Sequence, residues 1–281
     1  MVVTAGALAA AAMTISGCGA ASTIDPVAKA ATVSTGTPGY QMKFALAFTS
    51  PQLPTALTMT GNGAIDARDR IGQVNFAMNV GNNRALTKAF GGSTVHFQEL
   101  FKGTTFYVKL PHLPGSKLPA NKPWLKVDLA KASGIPGFSA LANNPVSSDP
   151  SQMLGYLRAS GSVNKVGSDV INGVQTTHYH ATIDLSKVPN ALPAANRASA
   201  KQAIASIEKL TGLHQLPVDT WVDSNNLVRR MRMTFAESLA PAVKISTLMT
   251  IDITKYGPQP APVLPSSDQV SDVSSLAGLG G

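Results

Sequence analysis

Three groups of residues could do chemistry. The first is one side chain: Cys18 is the only cysteine in 281 residues. A lone cysteine closes no intramolecular disulfide, and Cys18 has no nearby histidine or second thiol with which to bind a metal. The second group lies on "HYHATIDL" and "PVDTWVD". His178 and His180, at i and i+2, share one face of a strand and could present two imidazoles to a metal. Tyr179, Ala181 and Ile183 claim the opposite, buried face. The histidines therefore belong on the polar side, without a third ligand, and no metal site is expected. Asp219 and Asp223 flank Trp221 about 13 Å apart at about 3.3 Å per residue, wider than the carboxylate pair of a glycosidase. Structural or surface roles suit them better. The third group is Arg229, Arg230 and Arg232. Arg230 and Arg232 share the polar register, whereas Arg229 shares a register with Leu227, Met231 and Met233. Arg229 is therefore a candidate contact for a phosphate or acidic-sugar headgroup where an apolar face meets water; a solvated basic strand end is the plainer alternative.

No G-x-S-x-G elbow, G-x-x-x-x-G-K-[ST] loop or G-x-G-x-x-G fingerprint occurs. No catalytic residue, cofactor or enzymatic activity is expected. The composition points the same way. Charged residues are only 14% of the chain against 44% apolar, with abundant Thr, Ser, Ala, Gly and Pro. That balance suits an exported, turn-rich β protein. The formal net charge of +8 comes from scattered Lys and Arg without a dense run, so nucleic acid is not an expected partner.

The elements that must position these residues are mostly strands. In "YQMKFALAF", Tyr40, Met42, Phe44, Leu46 and Phe48 alternate with smaller or polar residues, which is the period-two signature of a half-buried strand. "LTMTGNGAI" places Leu57, Met59 and Ile65 on one register with Gly61 and Gly63, whose missing side chains imply a bend or close approach. "GQVNFAMNV" turns Val74, Phe76, Met78 and Val80 inward. Val95 and Phe97 of "TVHFQEL" and Phe106 and Val108 of "TTFYVKL" flank a hairpin turn at Lys102-Gly103. "WLKVDL" is a sixth strand. Asp149 and Pro150 then open a short helix bearing Met153, Leu154 and Leu157. Two strands joined at Asn172-Gly173 follow, then a helix from about Pro193 to Leu210 with Ile204 and Ile207 on its stripe and Gly212 as its stop. Three more strands, including "LVRRMRMTF" with Met231 and Met233 inside, complete the domain. Strand runs at hairpin spacing predict an α+β fold: a curved, mostly antiparallel sheet of about eleven strands closed by two or more helices.

The N-terminus has another character. Residues 1–17 carry no charged side chain, and Val2 to Ile15 form an apolar run. They are too few to span a bilayer, which needs about 20, and suit a signal peptide. "Ile15-Ser16-Gly17-Cys18" resembles a bacterial lipobox, with Ile15 where Leu is usual. The resemblance implies cleavage before Cys18, diacylglycerol on its sulfur, and anchorage at the outer face of a membrane. Residues 18–39 then read as a lipidated flexible tether, 40–265 as the domain, and 266–281 as a disordered tail.

About eleven strands at about 4.8 Å spacing present more apolar area than two helices, each about 10 Å wide, can cover. The sheet must curl over its own side chains, pack on a partner, or enclose something greasy. The expected lining of such a cavity is Phe44, Leu46, Phe48, Leu57, Met59, Val74, Phe76, Met78, Val95, Phe97, Phe106, Val108, Met153, Leu154, Leu157, Tyr179, Ile183, Ile204, Ile207, Met231 and Met233. The methionines add adaptable volume.

Spread along the chain, "GNGAID", "FKGTTFYVKL" followed by "PWLKVDL", "VGSDVINGVQTTHYHATIDL", "LPVDTWVDSNNLVRRMRMTF" and "DITKYGPQPAPVLPSSDQVSDVSSL" resemble the LppX/LprA/LprF/LprG lipoproteins of mycobacteria and related actinobacteria. That family is similar in fold to the LolA and LolB lipoprotein carriers. The resemblance implies a half-barrel around a hydrophobic cavity for acylated lipid or glycolipid. It also implies carriage of that lipid through the envelope, a monomer, and a possible envelope lipid transporter as partner. An envelope scaffold, chaperone or sensor whose apolar face meets a protein is the alternative.

Overall fold

The computed structural model describes residues 25–52, 55–109, 119, 121–128, 154–240 and 243–272. Its strands are β1 (Gly39–Thr49), β2 (Leu57–Asp66), β3 (Ile71–Asn79), β4 (Thr94–Lys102), β5 (Thr105–Lys109), β6 (Trp124–Asp128), β7 (Ser160–Ile171), β8 (Val174–Asp184), β9 (Gln215–Asp223), β10 (Val228–Ala240), β11 (Val243–Tyr256) and β12 (Val270–Asp272). The helices are α1 (Pro26–Thr35), α2 (Arg84–Phe90), α3 (Val188–Ala191) and α4 (Ala194–Thr211).

All twelve strands form one open, curled sheet in the order β12-β6-β5-β4-β3-β2-β1-β11-β10-β9-β8-β7. Two antiparallel meanders, β1 to β6 and β7 to β11, meet where β1 pairs with β11. Only β12 runs parallel to its neighbour, β6. The turns follow from their residues. Asn172 and Gly173 both take positive φ (48° and 81°) in the β7–β8 hairpin, the conformation a tight primed turn requires. The β4–β5 loop is Gly103-Thr104, one residue beyond the expected position, because Lys102 still pairs with Thr105.

Sequence and structure part at both ends of the domain. Within the segment read as a tether, Pro26–Thr35 is a helix. Asp25 caps it by accepting from the Val27 and Ala28 N–H groups at 2.8 and 3.1 Å, and proline at the first helical position supplies the φ it needs. Val27, Ala30 and Ala31 are completely buried. Small side chains here mean close packing rather than flexibility: α1 lies against β7, β9, β10 and the short helical stretch Leu157–Ala159. Within the segment read as a tail, residues 270–272 are a strand. The chain reaches it from β11 through "GPQPAPVLPSS", whose Pro260 and Pro262 lie along Gln41, Lys43, Asn62 and Asn75 on the polar, convex side of the sheet. Residues 257–269 thus form a strap across that side. Helix α2 was not foreseen either; Asn83 caps it, its side chain accepting from Leu86 N–H at 3.1 Å. The expected helix near Asp149 is described only from residue 154 onward. Among the described residues no helix is long and apolar enough to cross a membrane.

The core lies on the concave side. Leu154, Leu157, Leu185, Val188, Leu192 and Ile204 come together there with Ala181, Ile183, Val218, Met231, Met233, Met249, Ile251 and Ile253. The packing contacts of α1 and α4 fall on the β7 to β10 side of the sheet. Among the described residues, α1 and α4 thus dress that half of the concavity.

Candidate functional site

The strand registers stack the inward residues in transverse rows. One row runs Val163, Ala181, Val218, Met233, Met249, Leu46, Met59, Met78 and Val95, from β7 to β4. Four of its nine members are methionines. The adjacent row includes Tyr179, Thr220, Met231, Ile251, Phe44, Gly61, Phe76 and Phe97. A third, on the β1 to β6 side, is Met42, Gly63, Val74, Glu99, Val108 and Leu125.

Burial varies along these rows; Met42, Val74 and Val95 on the β1 to β4 side are buried, and Val163 and Tyr179 near the other edge are half-buried. On the helix-covered side Ile183, Val218, Met231, Met233, Met249 and Ile251 are sealed, each at most 5% exposed. On the β1 to β5 side Phe44, Leu46, Phe48, Leu57, Met59, Phe76, Met78, Phe97 and Val108 are half-buried. They form a continuous apolar floor about five strands wide, roughly 20 Å at the usual strand spacing. The glycines shape it as their register implied. A Cβ on Gly61 would lie 2.2 Å from the Phe44 ring and 2.4 Å from the Asn75 carbonyl. The Phe44 ring therefore crosses Gly61 and meets Phe76, with ring centroids 5.3 Å apart.

The residues expected to line a cavity thus fall into groups. Val74, Val95, Phe106, Leu154, Leu157, Ile183, Ile204, Met231 and Met233 are buried, and Tyr179 is half-buried near the sheet edge. Ile207 lies on α4, whereas Cys18 and Met153 fall outside the described residues.

One member of the floor was missed. Beyond Val95 and Phe97, the alternation of β4 carries Glu99 to the concave side, between Val74 of β3 and Val108 of β5. One more step of the period-two count along "VHFQELF" would have found it. Burial pushes its carboxyl up to about 7 from an ordinary 4.5, because the apolar surroundings disfavour the charged form.

The polar residues singled out from sequence sit on the other side. Asp219 Oδ1 lies 3.1 Å from both His178 Nε2 and His180 Nδ1. His178 stacks on Trp221 at 4.1 Å, and Trp221 Nε1 donates to Asp169 at 2.7 Å. Arg230 grips Asp252 through two 2.6 Å bonds. Among the described residues no group of three His, Cys, Asp or Glu is placed to hold a metal. Asp223 does not pair with Asp219. It ends β9, accepting from the N–H groups of Asn225 and Leu227 at 2.9 Å each. Arg229 does not follow the register of Met231, because pairing skips it: Val228 opposes Val222 while Arg230 opposes Trp221. As the extra residue of a bulge it is re-aimed, and its guanidinium meets Asp223 Oδ2 at 2.7 Å and lies over the Tyr256 ring. The charge expected to be free for a headgroup is engaged by a carboxylate.

No family model matches the chain. An uncharacterized 31.2 kDa protein of Streptomyces griseus, encoded in the rplA–rplJ intergenic region, is 28% identical over 240 residues, 82% of this chain and 74% of that protein. Among solved structures, LprF from Mycobacterium bovis aligns over 85% of this chain and 94% of its own, at 14% identity and TM-score 0.44. The Mycobacterium tuberculosis lipoprotein LppX aligns over 85% and 99%, at 13% identity and TM-score 0.43. A LolA superfamily protein of Nitrosomonas europaea aligns over 84% and 93%, at 9% identity and TM-score 0.28.

Proposed function

We propose that this protein is an exported lipoprotein of the cell envelope, anchored through Cys18, that holds acylated lipid against the concave floor of its sheet and carries it between membranes. The half-buried apolar floor on β1 to β5 supports the reading best. Helices bury the other half of the concavity, whereas Phe44, Phe48, Met59, Phe76, Met78 and Phe97 keep surface that an acyl chain can cover. Each methylene so buried contributes about 0.8 kcal/mol. Thioether side chains reshape at little cost, which suits chains of varied length and saturation.

Native mass spectrometry of gently purified protein, followed by organic extraction, tests the reading. The expected result is a mass excess released as lipid, together with uptake of a fluorescent fatty acid by the delipidated protein. A protein that carries no lipid and takes up no probe would overturn it.

A further inference from the structure

Glu99 stands out on this floor. Its neighbours across the strands are Val74 and Val108, and its neighbours along β4 on the same side are Phe97 and Phe101. Among the described residues, the concave side of β1 to β6 presents no other carboxylate, no imidazole and no cation; Tyr40, one row away on β1, supplies a phenol. Glu99 forms no hydrogen bond or ion pair with any described residue. A carboxyl set among valines and phenylalanines without a partner is costly, and such a group in a cleft is a candidate functional position.

Building on the lipid-holding reading above, we propose that Glu99 is the polar anchor of the floor. Its carboxyl hydrogen-bonds an uncharged hydroxyl of the bound lipid, and so selects hydroxyl-bearing neutral lipids over anionic ones. A hydroxyl both donates and accepts, so it satisfies the carboxyl in either protonation state. An ammonium requires Glu99 to ionise in an apolar place and brings three donors to a floor that offers one carboxyl, leaving a donor unpaired. A fatty-acid carboxylate or a phosphate adds a second negative charge at low dielectric. The upward displacement of the carboxyl toward neutrality agrees, since both of its forms are then accessible near pH 7.

The test compares wild type, Glu99→Gln and Glu99→Leu, each delipidated, by displacement of a fluorescent fatty-acid probe. The competitors are 1-monopalmitoylglycerol, methyl palmitate, palmitate and hexadecylamine, at about pH 5.5 and about pH 8.5, either side of the displaced titration. Wild type should prefer monopalmitoylglycerol to methyl palmitate by about tenfold or more, the worth of one hydrogen bond to a charged or acidic group. Glu99→Leu should bring that ratio near one while holding methyl palmitate at least as well. Palmitate should weaken relative to monopalmitoylglycerol at the higher pH in wild type and recover in Glu99→Gln. An unchanged ratio in Glu99→Leu overturns the anchor alone. A Glu99-dependent preference for hexadecylamine overturns the choice of a neutral hydroxyl. Failure of wild type to bind even methyl palmitate overturns the lipid-holding reading and the anchor with it.

Discussion

Replacing Glu99 with Gln should change how the stability of the ligand-free protein depends on pH. The displacement of the carboxyl from 4.5 to about 7 corresponds to roughly 3 kcal/mol at most, at about 1.4 kcal/mol per unit. The sign follows from the protonation states. Below the unfolded value Glu99 is protonated in both states and costs no charge burial. Between 4.5 and about 7 the unfolded chain releases its proton while the folded one keeps it, so folding loses ground as pH rises. Above that window both states are ionised and the full penalty applies. Urea unfolding of wild type and Glu99→Gln at a series of pH values reads this directly. Subtracting the two curves cancels every other carboxylate. The variant should gain on wild type by up to about 3 kcal/mol between pH 4 and pH 8, on top of a constant offset from placing an amide there. A difference that stays flat across that range would refute the burial of a charged Glu99.

Gly61→Val should destabilise the domain by about 1–3 kcal/mol, because the new Cβ meets the Phe44 ring and the Asn75 carbonyl; chemical denaturation measures it. Asp223→Ala should cost about 3–5 kcal/mol. It orphans two turn N–H groups and leaves the Arg229 guanidinium, only 15% exposed, without its partner. Arg229→Ala should cost less, since the turn bonds to Asp223 survive, and thermal unfolding of the two variants ranks them. Cys18→Ser should move the protein from the membrane fraction to the soluble one without changing its melting temperature. A variant that stays with the membrane would remove the anchor from the proposed function.

The strands, their hairpins and helix α4 could be read from sequence because each rests on local period and turn chemistry. Eleven strands announce themselves by alternation, and Gly212 ends α4 in the left-handed conformation expected of it. The twelfth strand is three residues long, and its pairing partner lies far back in the chain, so no local pattern reveals it. Helix α1 was hidden by its composition. Small residues resemble a linker, yet Asp25-Pro26 is an N-cap signature and Val27, Ala30, Ala31 and Ser34 form a helical stripe that is buried throughout. Arg229 shows the limit of counting by twos: one bulge residue shifts the register, and bulges leave little trace in sequence. Glu99 was readable, but an acidic residue at the end of an apolar count is easily assigned to the outside.

The proline-rich strap has a mechanical consequence. It leaves the sheet at β11, near the middle, and rejoins it at β12 beside β6, seven strand spacings away along the convex side. That path is about 34 Å at about 4.8 Å per spacing. Thirteen residues in the extended polyproline form reach about 40 Å, and four of the thirteen are proline. Curling the β6 edge farther inward lengthens the outer path, while flattening the sheet shortens it. The strap therefore works as a stop in one direction only. It lets the cup widen freely and resists its rolling shut into a barrel, which keeps a mouth open beside the apolar floor.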